Sequence, residues 1–449
     1  MLADPIRDAA AMRAGAERAR RLGRPVVVSI TRPATPRQAL DLFAASAAAA
    51  RHLWLRPATG EALVGLGAVE ALTLHGPDRF AQAAQAWRDL LAEAVVDDAS
   101  GGLPWTGPVL LGGFRFDVQS PPTELWDGFP DGRLLLPRVV YSERDGQAWL
   151  TRNTVLPRST TPPSPLKGEG GQGGGGRTEP EWLQLVTTTV SRIRNDTRGL
   201  EKVVLARAQH IRAPHPFDPA AALRRLATEY PTCTLFAVSH GERCFMGATP
   251  ERLVQLRDGV AATTALAGST ARGATDAEDA ALAEQLLRSP KERAEHDVVV
   301  RALRAGLADV CSRVMVDTQP RVRKLPNLQH LLTPIRGQLK PDRTVFDLVD
   351  RLHPTPAVGG YPRERALELI RATEGLDRGW YAGPIGWVNR AGEGEFVVGI
   401  RSALLRGPEA TLFAGCGIVA DSQPAAEYAE SRWKLRPMLA ALAAGPQDG

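Results

Sequence analysis

The amino-acid sequence predicts an α+β fold in which sheets and helices occupy separate layers. Strand-like segments bunch together along the chain and helix-like segments bunch together, without the strict βαβ alternation that builds a parallel sheet. With 449 residues, 43% of them hydrophobic and 23% charged, there is ample apolar material for a core, in one large domain or two or three ordinary ones. One low-complexity segment breaks the chain, and no internal repeat is visible.

Taken in order, residues 1–25 form a polar, Ala/Arg-rich amphipathic stretch without the uninterrupted apolar core of a signal peptide. Short apolar runs at 26–30, 62–66 and 109–116 predict strands, and helical spacing of apolar residues predicts helices over 36–50 and 79–95. Residues 1–156 thus read as an N-terminal part of the fold. Residues 157–177, PRSTTPPSPLKGEGGQGGGGR, read as a flexible insertion, because Pro and Ser followed by a glycine run favour neither helix nor strand. The KGEGG within it has the wrong order of Gly and Lys for a phosphate loop, and no apolar strand leads into it. The remainder, 178–449, carries a helix at 181–194, a strand at 203–205 and a helix at 219–229. Strands follow at 235–238 and 253–256, and helices at 275–287, 290–311 and 362–372. Strands at 396–405 and 411–414 then lead to a helix beginning at Pro424.

The net charge of +5 comes from scattered basic residues, with no Lys/Arg block interleaved with aromatics, which argues against a nucleic-acid partner. No segment is long and apolar enough to span a bilayer, so no membrane association is expected. Cys233, Cys244, Cys311 and Cys416 show no C-x-x-C spacing, as expected of reduced residues in a cytoplasmic protein. Without an extended apolar helix stripe or a heptad repeat, a monomer is expected.

The most informative stretch is 415–434, GCGIVADSQPAAEYAESRWK. Gly415 and Gly417 let backbone approach a bound group, and on the helix that follows Glu427, Glu430 and Lys434 share one face. Amides beside carboxylates and an ammonium suit a carboxylated ligand bridged by a divalent cation; a solvated face with an ordinary ion pair is the plain alternative. In EKVVLAR at 201–207, strand alternation puts Lys202, Val204 and Ala206 on one face, so Lys202 is either a desolvated general base or an edge lysine reaching water. In GATPERL at 247–253, Glu251 follows a proline turn and is either a plain loop acid or a general acid at a strand mouth.

In SPKERAEH at 289–296, Ser289 as N-cap and Pro290 at the first helical position make Glu292 the partner in a capping box, hence structural. Glu295 is expected on the buried stripe of that helix, in line with Ala302 and Leu303, where a carboxylate needs a partner or a metal. Alternation along a strand at 396–405 places Arg401 with Val397, Ala403 and Leu405, a buried cation matched by a structural acid or by a bound carboxylate. LHPTPAVGG at 352–360 is a rigid loop that either lies against a ligand or merely turns, and Gly268-Ser269 is equally open.

Together these segments resemble the chorismate-utilising enzymes, and isochorismate synthase most closely among them. The matching motifs are EKVVLAR, GATPERL, ALAGS, SPKERAEH, LHPTPAVGG, RGWYAGPIGW, GIRSALL and GCGIVADSQPAAEYAESRWK, in order between Glu201 and Lys434. GGFRFD at 112–117 adds one element in the N-terminal half, where the resemblance is otherwise weak. The resemblance implies a large sandwich of layered β-sheets flanked by helices. It implies Lys202 as the base that activates water for attack at C2 of chorismate, and Glu251 as the acid that protonates the departing C4 hydroxyl. Glu295 and Glu430 correspond to Mg2+ ligands, the metal bridging to the substrate's ring carboxylate. Arg401, Gly415 and Lys434 correspond to the carboxylate-binding set, and Gly268, Ser269 and Ala357 to pocket-lining positions, with Tyr381 and His330 as further candidates. Cys416 stands where alanine is usual, and Ser269-Thr270 where Thr-Arg is common, which removes a cation near the pocket.

On this resemblance the expected activity is Mg2+-dependent conversion of chorismate to isochorismate, and the long N-terminal half leans towards menaquinone synthesis. A siderophore-pathway isochorismate synthase and a salicylate synthase, which continues to pyruvate elimination in the same pocket, are the nearest alternatives. The loops LHPTPAVGG and YAGPIGW favour the synthase. Lys202 argues against the aminating relatives, anthranilate and aminodeoxychorismate synthases, so no glutaminase subunit is expected. Presence of Lys202, Glu251, Glu295 and Glu430 together disfavours a non-catalytic chorismate-binding protein.

Overall fold

A computed structural model describes residues 5–157, 177–324 and 328–443. Two large sheets, of twelve and ten strands, carry the fold, with helices packed against them. The α+β class and the layered sandwich of sheets flanked by helices are both as expected.

From one edge the first sheet runs Gly360–Tyr361, Lys202–Arg212, Glu409–Ile418, Ser402–Arg406, Arg243–Thr249 and Thr234–His240. It continues directly into Ala50–Arg56, Glu61–Leu66, Val139–Arg144, Gln147–Leu156, Val26–Ala34 and Val95–Asp98. The two halves of the chain therefore meet inside one sheet, where Phe236 of Thr234–His240 lies opposite Trp54 of Ala50–Arg56. The second sheet is shared in the same way, with Pro384–Val388 paired antiparallel to Leu110–Phe114. Of the segment expected as a flexible insertion, residues 158–176 lie outside the described residues.

Alternation decides what each face of the first sheet buries. Phe236 and Val238 turn into the larger core, which also holds Val254, Leu256 and Phe396 of the second sheet. Leu235 and Ala237 turn the other way, against Leu223 and Leu226 of the helix Pro219–Glu229 and Leu435 and Met438 of the helix Pro424–Ala443. Burial on both faces is why these strands read as continuous apolar runs instead of alternating ones. On the second sheet, Phe114 meets Phe80 of the helix Arg79–Leu91 and Phe346 of the helix Val345–Leu352.

Two expectations need correction. The helix expected over 36–50 is only Ala39–Ala45, because residues from Ala50 pair into the first sheet. The strand expected over 396–405 is two strands in different sheets, Gly394–Val398 and Ser402–Arg406. Between them the chain crosses from the second sheet to the first, and Arg401 takes a φ of +51°, a left-handed conformation that ends strand alternation there. The four cysteines are free and buried. Among the described residues no helix is long and apolar enough to cross a membrane.

Candidate active site

A pocket of about 390 Å3 opens between the strands Lys202–Arg212 and Glu409–Ile418 and the helices Pro290–Val310 and Pro424–Ala443. All of the residues singled out from the sequence line it: Lys202, Glu251, Glu295 and Glu430, the carboxylate-binding candidates Arg401, Gly415 and Lys434, and Gly268, Ser269, His330, Ala357 and Tyr381. Their chain positions span more than half the sequence. The fold, not local spacing, brings them together.

Lys202 opens its strand and is 3% exposed, so it is not an edge lysine reaching water. Its Nζ donates to Glu295 Oε1 at 2.6 Å, which supplies the partner that a buried ammonium requires. Gly417, on the neighbouring strand, makes room for it: a Cβ there would stand 2.6 Å from Lys202 Cε. Glu295 is half-buried and faces this pocket, so it borders the ligand space instead of lying in the helix's core stripe.

Glu251 sits in the turn between the strands Arg243–Thr249 and Arg252–Arg257, its amide donating to Thr249 Oγ1 at 3.2 Å. It is half-buried, with its side of the turn lining the pocket. Burial pushes its carboxyl up to about 7, although Lys202, Lys434 and Arg401 all pull the other way. A glutamic acid protonated near neutrality is the form a general acid needs.

Opposite lies a group of four carboxylates, two from each helix: Glu292 and Glu295, Glu427 and Glu430. The capping-box assignment of Glu292 is half right. Ser289 Oγ does accept from the Glu292 amide at 3.3 Å, but the Glu292 carboxylate reaches the amide of Ser269 at 2.9 Å and lines the pocket. That amide is presented by a bulge between Ala267 and Ser269, where Gly268 takes a φ of +73°. Burial raises the Glu292 carboxyl. Burial and then Glu430 push Glu427 up to about 7. Burial pulls Glu430 upward too, but Lys434 outweighs it and holds Glu430 below its ordinary value. Lys434 Nζ is 2.6 Å from Glu430 Oε1 and donates to the Gly415 carbonyl at 2.8 Å. Burial works against its charge, but Glu430 overcomes this and holds the amine above its usual range.

Oxygen donors from two facing helices suit a hard divalent cation, and the excess of acid over lysine in this group favours one. Cys416 Sγ, with oxygens of Glu427 and Glu430, also falls within a 4.8 Å cluster of possible ligand atoms. Burial, however, holds its thiol protonated, and Cys416 Sγ donates to the Glu427 carbonyl at 3.2 Å, so the carboxylates are the donors that fit.

The substrate-binding candidates line the same pocket. Arg401 is buried and faces the pocket; burial lowers its pKa. His330 Nδ1 lies 2.7 Å from Ser269 Oγ, and burial keeps its ring neutral, down to about 3. Tyr381 stacks on Phe413 with centroids 5.0 Å apart, and a Cβ at Gly415 would stand 3.0 Å from its hydroxyl. Burial raises that phenol to about 12.

Sequence reasoning missed Arg378, which lies within the RGWYAGPIGW motif and carries no signal beyond it. Arg378 is buried and makes two 2.6 Å bonds to Glu374. It also donates to the carbonyls of Val204 at 2.6 Å and Val358 at 2.9 Å, while Glu374 accepts from the Ala206 amide. The pair thus ties the strand of Lys202 to the loop of Ala357. It is a strut.

Comparison with known proteins agrees with this geometry. The family described as chorismate binding enzyme matches residues 13–167 and 176–443, so the match runs through the N-terminal half, where motifs are sparse. The salicylate biosynthesis isochorismate synthase of Pseudomonas aeruginosa is 39% identical over 451 residues, 95% of this chain and 92% of that protein. Isochorismate synthase MenF of Bacillus subtilis is 34% identical over 414 residues, 87% of this chain and 88% of that protein. The structure of MenF, the menaquinone-specific isochorismate synthase from Escherichia coli, aligns with a TM-score of 0.77 at 27% identity, covering 96% of this chain and all (100%) of that one. With a family match over most of its length, the chain belongs to the chorismate binding enzymes.

Proposed function

We propose that this protein is an isochorismate synthase, adding water at C2 of chorismate as the C4 hydroxyl departs. The observation that carries this reading is one pocket holding, as separate groups, a buried lysine, Lys202, and a glutamate, Glu251, whose carboxyl burial raises to about 7. Water must lose a proton as the C2–O bond forms, and the C4 oxygen must gain one as its bond breaks, so the reaction needs both.

Lys202 is the base. Its Nζ lies 2.6 Å from Glu295 Oε1, and to act as the base it must present an amine lone pair to the attacking water. Glu251 is the acid, donating to the C4 oxygen so that it leaves as water. Arg401, Lys434 and the backbone at Gly415 orient the substrate's carboxylates. Glu295 and Glu430, with Glu292 and Glu427 beside them, would hold Mg2+, which when bound would supply positive charge for the substrate's ring carboxylate.

Supply of menaquinone synthesis is the reading that the long N-terminal half supports. A second reading, supply of salicylate synthesis, is favoured by the 39% identical relative named for that role. The protein is proposed to work as a cytoplasmic monomer without a glutaminase. Incubation with chorismate and Mg2+, without ammonia, should give isochorismate as the product. Salicylate with pyruvate as the accumulating products, or no turnover until ammonia is added, would overturn this assignment.

A further inference from the structure

Behind Glu251 lies a second cavity, of about 140 Å3, which shares Pro250, Glu251 and Leu266 with the substrate pocket. Three arginines, Arg56, Arg252 and Arg323, and four threonines make up the rest of its wall. The acids nearby are already committed. Glu395, 1% exposed, accepts from Arg252 Nε at 2.7 Å and from Gln255 at 3.1 Å, and also pairs with Arg56. Glu61 meets Arg56 at 2.8 Å and Arg144 at 2.9 Å.

Arg323 differs from the other two. Among the described residues it meets no carboxylate, and its guanidinium donates to the carbonyl oxygens of Pro250 at 3.0 Å and Thr232 at 3.3 Å. Burial works against its charge. A half-buried guanidinium satisfied only by carbonyls, facing a polar cavity, lacks the anion that would offset its desolvation. The space far exceeds the ~10–15 Å3 that one water needs.

We propose that this cavity binds a small free oxyanion, a carboxylate or a phosphate, held by the guanidinium groups of Arg323 and Arg252 and by threonine hydroxyls. Forked N–H donors with hydroxyls between them match such a group in both geometry and charge. Two of these side chains also fix the turn that carries Glu251: Thr249 Oγ1 accepts from the Glu251 amide, and Arg323 donates to the Pro250 carbonyl. The cations near Glu251 are Lys202, Lys434 and Arg401 in the pocket and Arg56, Arg252 and Arg323 in the cavity, and the pocket also holds the carboxylates Glu292, Glu295, Glu427 and Glu430. The cations favour the ionised carboxylate. An anion on the cavity side offsets them and favours the protonated form. The direction of its effect is therefore a rise in turnover, a step that rests on Glu251 acting as the acid.

Binding and coupling are tested separately on the full chain. Without Mg2+ or chorismate, inorganic phosphate and malonate are titrated against Tm, with sodium chloride at matched ionic strength as control. The site predicts a saturable rise of several degrees with at least one of the two, absent in chloride, and which one responds identifies the anion class. Arg323→Gln removes the free donor and Thr264→Leu fills the cavity from the strand Val260–Ala271; each should abolish the rise. Equal shifts in chloride, or shifts that survive in both variants, would overturn the site. Turnover at saturating chorismate and Mg2+ should rise with the same half-saturation. Saturable binding with unchanged turnover would overturn the coupling to Glu251, and absence of isochorismate would instead count against the proposed reaction.

Discussion

Every residue lining the substrate pocket comes from position 202 onward, whereas the N-terminal half supplies six strands to the first sheet and three to the second. The N-terminal strands place no side chain in that pocket, and their apolar positions answer mainly to burial, which many apolar side chains satisfy equally well. The C-terminal strands and helices must also aim a lysine, an arginine and several carboxylates into one space, which few sequences do. That difference separates what a substitution should cost in rate from what it should cost in stability.

The largest effect expected is on rate. Lys202→Ala should lower turnover on the order of 10²–10⁴-fold, the usual worth of one acid–base group, with the fold kept. Glu295, freed of its lysine, keeps its exposure to the pocket and so is not left as a buried charge. Turnover within a factor of two of the parent would remove Lys202 from the mechanism.

Phe114→Ala is the converse experiment in the N-terminal half. Its fully buried ring lies 4.7 Å from Phe80, 6.2 Å from Phe346 and 6.0 Å from Phe396, so truncation leaves a cavity among three aromatic side chains. The expected loss is about 3–5 kcal/mol of stability. Turnover of the folded fraction should stay near that of the parent. A stable variant with its rate abolished would blur the division between the halves.

Glu251 belongs to both accounts. The usual carboxyl value is 4.5, and burial raises it to about 7 in the fold. As pH rises from 4.5 towards 7, the unfolded chain ionises while the folded one holds its proton. The parent should therefore lose up to about 3 kcal/mol of stability across that window and then level off. Glu251→Gln does not titrate, so its Tm should gain on the parent over the same window while its turnover falls. A constant difference in Tm from pH 4 to 8 would mean that Glu251 ionises normally.

Glu295→Gln and Glu430→Gln should each raise the Mg2+ concentration needed for half-maximal rate, with excess Mg2+ restoring part of it. Each removes one negative donor while keeping the side chain's size. The two need not respond alike, because Glu295 neutralises Lys202 and Glu430 neutralises Lys434. Unchanged Mg2+ dependence in both would dismiss these two as ligands.

The residues of the candidate pocket were more legible than the element boundaries. Lys202, Glu295 and Arg401 stand out in sequence because charges within apolar runs are costly and need a reason, whereas Glu251 is marked by a proline turn and Lys434 by the carboxylates on its helix face. Glu292 was misread because its amide is capped by Ser289, and nothing local reveals that its carboxylate turns instead to Ser269, on a strand more than twenty residues earlier. Arg401 was found for an incomplete reason: strand alternation predicts a buried arginine, but the residue sits at a left-handed crossover between sheets. Arg56 and Arg323 gave no signal, since they meet across the cavity from strands in different sheets.

The smallest effect expected is from deleting Ser159 to Gly176. Leu166 is its one large apolar side chain, and a run of glycines cannot gain burial that offsets the entropy of ordering it. If the segment packs on nothing, changing its length alters closure entropy only logarithmically, by about 1 kcal/mol or less. Its flanks are anchored independently, Gln147–Leu156 by pairing with Val26–Ala34 and Arg177 by bonds to the carbonyls of Thr373 and Glu374. The shortened connection must still span those anchors, and the measurement therefore pairs Tm with turnover at equal Mg2+ and chorismate. Equal values in deletion and parent would place the segment outside both the scaffold and the site. A variant that is insoluble, or melts many degrees lower, would show that the segment packs against the enzyme and that the N-terminal half depends on it.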